Sequence, residues 1–329
     1  MKLSTIRPVI LTAACVWIVW MICLGPLQAL GYVVHHWEVA LTMLFGSFVA
    51  GSTSLGGGAV AFPVFTKVLQ VSSFDANVFS LMIQSVGMGT ATFFIVVRRI
   101  TVEWRIVLVS TIAGAIGIYL GAAYLAPLIP STAVKILFSM ILTSFGLTLL
   151  MLNIRRENRH DTMPAWGYRE VKVIFAASLA GGVISGLQGS GIDIVIFSVM
   201  VLYFRICEKV ATPTSVVIMA FNAMIGAYLH NFVFNDTAAS VVEYWYAAIP
   251  VVVVGAPVGA IVCSFLKREV ISNSLLVLIL IDLISTLLLV PMQPYIITLG
   301  LVSVVLFSGI NLMMLRTRTY QRLPQEGIA

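Results

Sequence analysis

Gly51-Ser52-Thr53-Ser54-Leu55-Gly56-Gly57-Gly58 interrupts an apolar stretch over residues 39–70, and Gly186-Leu187-Gln188-Gly189-Ser190-Gly191 interrupts a second over 171–204. A continuous helix of that length, at 1.5 Å per residue, would measure about 48 Å against a hydrocarbon core of about 30 Å. Each glycine inside a helix costs about 1 kcal/mol relative to alanine. Glycines clustered at the midpoint of both stretches therefore predict two half-helices around a break. The two halves can form one bent crossing, or a re-entrant hairpin that enters and leaves on one side.

The rest of the chain sets the class. Its 329 residues are 60% apolar and 10% charged, with a mean hydropathy of +1.05, whereas soluble domains run near roughly 45–50% and 25%. An all-α polytopic membrane protein follows. The net charge of +6 sits in short basic clusters between apolar runs rather than on one polar face, so no nucleic-acid partner is expected. Cys15, Cys23, Cys207 and Cys263 lack metal-site or disulfide spacing and read as small packing residues. His35, His36 and His230 show no convergent ligands, and no metal or cofactor is expected. No nucleotide-binding loop is present, which argues against an ATP-driven pump.

Further apolar runs cover 76–97, 105–127, 132–152, 211–233, 243–266, 271–290 and 296–315. The first run, Val9 to about Leu30, exceeds the apolar core of a secretory signal and reads as a retained helix, with cleavage after Ala29 as the alternative. One polar connector, Asn153 to Lys172, divides the chain. Cytoplasmic loops hold the excess of Lys and Arg. With the connector inside and both broken stretches as hairpins, every Lys and Arg except Lys67 and Lys135 falls inside. Single crossings scatter these charges. The expected topology is eight crossings, two re-entrant hairpins and both termini in the cytoplasm of a bacterial inner membrane.

The halves repeat each other. Gly56 and Gly58 match Gly189 and Gly191, 133 residues on; Ala76 and Ser80 match Ala211 and Ser215 at 135; Trp104 and Gly114 match Trp245 and Gly255 at 141. A hairpin plus three crossings places the second copy upside down, the inverted-repeat plan of secondary transporters. The domains so drawn are an N-terminal helix (1–38), a first repeat (39–152), a basic linker (153–170), an inverted second repeat (171–290), and a last span with its tail (291–329).

A helix break is tolerated in lipid only inside protein or beside a water-filled cavity. Half-helices starting after Gly58 and Gly191 would offer free N–H groups and a positive dipole end to an anion. Two such ends facing each other near the midplane would bind a small oxyanion without Lys or Arg. The candidate substrate-binding residues are Ser52, Gly56, Gly57 and Gly58 at the first break, and Gln188, Gly189, Ser190 and Gly191 at the second. Ser80 and Gln84 on the following helix, and Thr214, Ser215 and Asn222 on its repeat mate, complete the set. Ser54 and Ser85 are further donors. Asp193 and Asp282 are acids inside spans, which marks them as functional candidates, here for proton coupling; Asp193 could equally cap its own half-helix. Gly117-x3-Gly121 and Gly255-x3-Gly259 are close-packing faces. Trp37, Tyr244, Trp245 and Tyr246 suit interfacial anchoring.

At Gly51-x4-Gly56-Gly57-Gly58, and at Gly182-x2-Ser185-Gly186-x2-Gly189-x-Gly191 followed by Ala211-Thr212-Pro213-Thr214-Ser215, the sequence resembles the TauE/SafE family of sulfite and sulfonate exporters. The resemblance covers about residues 39–290. It implies export of small sulfur-containing anions such as sulfite, thiosulfate or organosulfonates, with the glycine breaks and the Thr-Ser element near the pathway. The chain departs from the family pattern at Phe79, where Thr is expected, and at Ser190, Ile192 and Asp193. The reading is a proton-coupled secondary transporter, not an enzyme, whose partners are a small anion, the lipid bilayer and, as a candidate, a second copy of the chain. A passive anion channel and a membrane-embedded enzyme are the alternatives.

Overall fold

The computed structural model describes residues 3–53, 58–155, 160–291 and 293–316. In chain order the helices are α1 (Leu3–Leu24), α2 (Pro26–His35), α3 (Trp37–Ser52), α4 (Gly58–Pro63), α5 (Ser73–Val97), α6 (Trp104–Leu120), α7 (Ser131–Arg155), α8 (Tyr168–Gln188), α9 (Ile192–Ser198), α10 (Glu208–Tyr228), α11 (Ala239–Phe265), α12 (Arg268–Leu289) and α13 (Pro294–Arg316). Short π-helical turns extend four of them: Val64–Val68 after α4, Gly121–Leu125 after α6, Val199–Tyr203 after α9, and Leu229–Phe234 after α10. Among the described residues eight helices are long and apolar enough to cross a membrane. The protein is an all-α polytopic membrane protein.

These eight are not quite the eight expected. The N-terminal run, read as one span, turns by 102° between α1 and α2. Gly25 adopts φ +79 there, and Pro26, which has no N–H, opens the new helix. In its place α8, expected as a half-helix, is long enough to cross by itself. The arms of the second hairpin are therefore unequal, because the break falls late: 21 residues in α8 against 12 over Ile192–Tyr203.

Both broken stretches fold back. In the second, His160 of the linker donates its N–H to the Arg205 carbonyl and accepts from the Cys207 N–H, both at 2.8 Å. The chain leaving the hairpin thus returns to the segment that precedes it. A Cβ built on Gly181 in α8 would lie 3.2 Å from Cβ of Val195 in α9, so the arms lie side by side. In the first hairpin, Tyr244 joins the two ends: its ring lies 5.0 Å from His36, just before α3, and 5.9 Å from Phe65, near the end of the returning arm.

The hairpins open on opposite sides. From Glu208, beside the open end of the second, α10 and its π turn run 27 residues to Phe234. There His230 meets Phe74 at 5.8 Å, on the helix that follows the first hairpin. Local backbone repeats the same relation. The four described non-glycine residues with positive φ are Gln70, Arg99, Arg205 and Asn235, which pair across the repeat at 135 and 136 residues. Leu69 N–H bonds to Val64 O as Phe204 N–H bonds to Val199 O, and Val71 to Phe65 O as Ile206 to Met200 O.

Packing is reciprocal between repeats: α3 of the first lies along α11 of the second, and α8 of the second along α6 of the first. Glycine permits both contacts. A Cβ on Gly117 would lie 2.3 Å from the Leu179 carbonyl oxygen, and one on Gly259 2.2 Å from that of Phe48. The small-residue faces thus seat each hairpin in the other half. Helices α5 and α10 cross between them, and Phe79 of α5 stacks on Phe65 at 4.3 Å. That contact explains the aromatic residue where the family pattern leads to Thr.

Candidate functional site

The second break is built from α8, α9 and α5. Gly189 ends α8 at φ +80, and a Cβ there would lie 2.4 Å from Ser80 Cβ and 2.8 Å from the Asn77 carbonyl oxygen. Only glycine fits that conformation and that gap. Two amide side chains of α5 hold the tip: Asn77 Nδ2 donates to Gly186 O at 2.7 Å, and Gln84 Nε2 donates to Gly189 O at 2.9 Å. Breaking a helix exposes carbonyls that lipid cannot satisfy, and these amides supply the missing donors.

On the other side of the break Asp193 takes the capping role, the second of the two readings given to it. The first N–H groups of α9 are not free for an anion. Asp193 Oδ1 accepts from Gly191 N–H at 2.9 Å and Ile194 N–H at 3.0 Å, and Ser185 Oγ accepts from Ile192 N–H at 3.0 Å. The acid at the second position of the half-helix occupies the dipole end that an oxyanion would need.

What remains open at this break is a set of buried side-chain atoms without hydrogen-bond partners: Ser80 Oγ, Gln84 Oε1, Ser190 Oγ, Asp193 Oδ2 and Asn77 Oδ1. An unsatisfied buried polar group costs about 1–3 kcal/mol, so such a cluster is stable only where something else engages it. Gln188 is buried beside it. Asn222 joins from α10. It donates to Ile218 O, and its unpartnered Oδ1 lies where a Cβ on Gly114 would come, next to Ile192.

The remaining expected residues lie elsewhere. Thr214 donates to Val210 O and accepts the Glu103 N–H at 3.1 Å, latching α10 to the turn before α6. Ser215 bonds within its own helix, to Thr212 O, and Ser85 bonds to Met82 O. At the first break Ser52 is buried and donates to Val49 O, and Gly58 opens α4. Ser54, Gly56 and Gly57 lie outside the described residues. The tip of the first break lies outside the described residues, and the end of α3 before it is placed by Gly51. Gly189 sits against Ser80, whereas Gly51 sits against Ala256, which in turn faces Gly87. Seven residues of α5 separate these levels, about 10 Å, with Gln84 between.

Asp282 belongs to a third cluster. It accepts from Ser139 Oγ at 2.5 Å and from Lys67 Nζ at 3.4 Å, and the same ammonium donates to Ser285 and Thr286. Lys67, expected at the outer surface, is buried. His230 pairs with Asp236 at 2.8 Å, and Trp245, expected as an interfacial anchor, donates to the Met82 carbonyl of α5. Cys15 and Cys23 are exposed on α1 rather than packed. Sequence reasoning missed Asn77 and Ser185; the register Ala76 to Ala211 pairs Asn77 with Thr212, and that neighbouring position was the available signal.

Residues 39–286, which hold both hairpins and the helices that follow them, match the family model described as Sulfite exporter TauE/SafE. The chain belongs to the TauE/SafE family. Neither a curated protein nor a solved structure matches it. As a TauE/SafE protein it falls in a family of sulfur-anion transporters, and the matched region runs from α3 through most of α12, leaving α1, α2 and α13 outside it.

Proposed function

We propose that this TauE/SafE protein exports small sulfur-containing anions, such as sulfite, thiosulfate or organosulfonates, across a bacterial inner membrane by proton-coupled alternating access. The observation that carries the coupling is Asp193: one carboxylate oxygen caps α9, while the other is buried without a partner beside Ser190 and the tip of α8. Ionised, that oxygen repels an anion. Protonated, it becomes a donor pointing into a cluster that otherwise offers the hydroxyls of Ser80 and Ser190. Cargo and proton would then load together, and loss of either would weaken the hold on the other. Contacts made by hydroxyls rather than fixed cations leave the site weak enough to release its cargo. Asp282 is the less apt coupling acid, because Lys67 already answers its charge.

The basic linker 153–170, on the side to which the second hairpin opens, supports a cytoplasmic face there, with both termini on it. In proteoliposomes loaded with sulfite, a pH gradient should drive efflux through the wild-type protein. Asp193→Asn should slow the flux and flatten its response to the gradient. An Asp193→Asn protein with the wild-type pH response removes the coupling role, and the absence of flux for sulfite, thiosulfate and organosulfonates alike removes the substrate assignment.

A further inference from the structure

A cavity of about 170 Å³ lies on the linker side of the molecule, apart from the Gly189 cluster, where the α5–α6 turn, the start of α10 and the end of α11 meet. Thr101, Lys209 and Ser264, all exposed, form its mouth. Gly51, Thr212 and Cys263, all buried, form its floor. Between them the walls are apolar, with Ile95 and Val210 among the lining residues. Thr212 is 1% exposed, and its Oγ1 has no hydrogen-bond partner. A buried hydroxyl at the bottom of an apolar well costs stability unless something in the well engages it.

The geometry points to an entrance site for a small monoanion that carries an apolar body, held by the Lys209 ammonium and the Thr212 hydroxyl. The ammonium stands where an anion arriving from the aqueous side meets the protein, and steering by a single cation at a low-dielectric mouth raises its local concentration. The walls have no polar group to replace the hydration of a doubly charged oxyanion, but they accept methylene groups. Gly51 lies two residues before Thr53, the first residue of the break in the first hairpin. The floor of the well is therefore the approach to that break. The site rests on the anion-export reading above and adds a point of entry: Thr212 lies in the Ala211–Ser215 element that the sequence marked, but neither it nor Lys209 is among the residues expected to bind.

Cys263 provides a reporter inside the well. In a full-length protein carrying Cys15→Ala, Cys23→Ala and Cys207→Ala, a neutral maleimide should modify Cys263, and ethanesulfonate should slow that modification. Along methane-, ethane- and propanesulfonate the concentration for half-protection should fall about fourfold per added methylene, while sulfate should protect least. Lys209→Gln, at an exposed position, should weaken protection tenfold or more; Thr212→Val, of the same shape, should weaken it less and leave the unprotected rate unchanged. A rate that no anion alters, or protection by sulfate equal to that by propanesulfonate, overturns the site. Sulfite efflux that persists under either of those results leaves the export reading standing, whereas protection without any flux overturns export alone.

Discussion

Lys67 Nζ and Asp282 Oδ1 lie 3.4 Å apart with both side chains 3% exposed, joining the returning arm of the first hairpin to α12 across 215 residues of sequence. Ser139, Ser285 and Thr286 complete the shell. In the second repeat the position matching Lys67 is Leu202, and that arm meets α7 through the rings of Phe197 and Phe145 at 5.7 Å. Phe62 of the first arm meets Phe138 of α7 in the same way, at 5.9 Å, so the Lys67–Asp282 pair is added to an apolar contact that both halves share.

Removing one partner of a buried ion pair strands the other charge, at about 3–5 kcal/mol. Lys67→Met and Asp282→Asn should each lower the melting temperature of the detergent-solubilised protein substantially. The double variant Lys67→Met/Asp282→Leu should recover most of the loss, because no charge is left unpaired. Its transport should keep the wild-type response to pH if Asp193 is the coupling acid; a lost response would move that role to Asp282.

Gly189 and Gly25 have nearly the same φ, +80 and +79, but different surroundings. A Cβ on Gly25 meets nothing within 4 Å, whereas one on Gly189 runs into Ser80 and Asn77. Gly25→Ala, at ψ 140 rather than the −7 of Gly189, should cost only the backbone penalty, about 1–3 kcal/mol. Gly189→Ala should cost more and displace the hairpin tip from α5. Thermal denaturation of the two variants side by side checks the difference; equal losses would mean that the tip is not wedged.

Ser185 and Ser80 separate structure from transport. Ser185 Oγ satisfies Ile192 N–H, so Ser185→Ala should destabilise by about 1–3 kcal/mol. Ser80 Oγ has no partner, so Ser80→Ala should leave the melting temperature within a degree or two while reducing anion flux. A stable Ser80→Ala protein with full flux would take Ser80 out of the binding set.

Asn at position 193 retains an acceptor for Gly191 and Ile194 N–H, and Leu does not. Asp193→Asn should therefore keep the fold, whereas Asp193→Leu should lose about 0.5–2 kcal/mol, the usual worth of an N-cap. Melting curves read this directly and independently of any flux assay.

Opposite openings of the hairpins predict opposite accessibility. Single cysteines at Asp161 and Lys209 should react with an impermeant thiol reagent from one face of sealed vesicles, and one at Asp236 from the other. Labelling of all three from the same face would contradict the inverted arrangement.

Much of the fold was legible because its signals are local. Glycines at Gly56–Gly58 and Gly189–Gly191 interrupt helix propensity within a few residues, and the charge distribution followed loop by loop. The bend at Gly25 was legible too, in Gly25-Pro26, but apolar continuity through Leu30 masked it. The candidate site was legible only as a set of residue types. Ser80, Gln84, Ser190 and Asp193 do meet at the second break; Thr214 and Asp282, chosen on the same grounds, answer to Glu103 and Lys67 instead.

The sequence by itself determined that the chain is helical, lies in a membrane and is broken twice at matched positions of a repeat, because hydropathy and glycine placement act over a few residues. Only the tertiary structure decided which polar atoms are left over. Whether Asp193 caps α9 or greets an anion, and whether Lys67 faces water or Asp282, depends on which helices are brought alongside. A buried polar group takes its role from the partner it finds, and that partner can lie more than two hundred residues away.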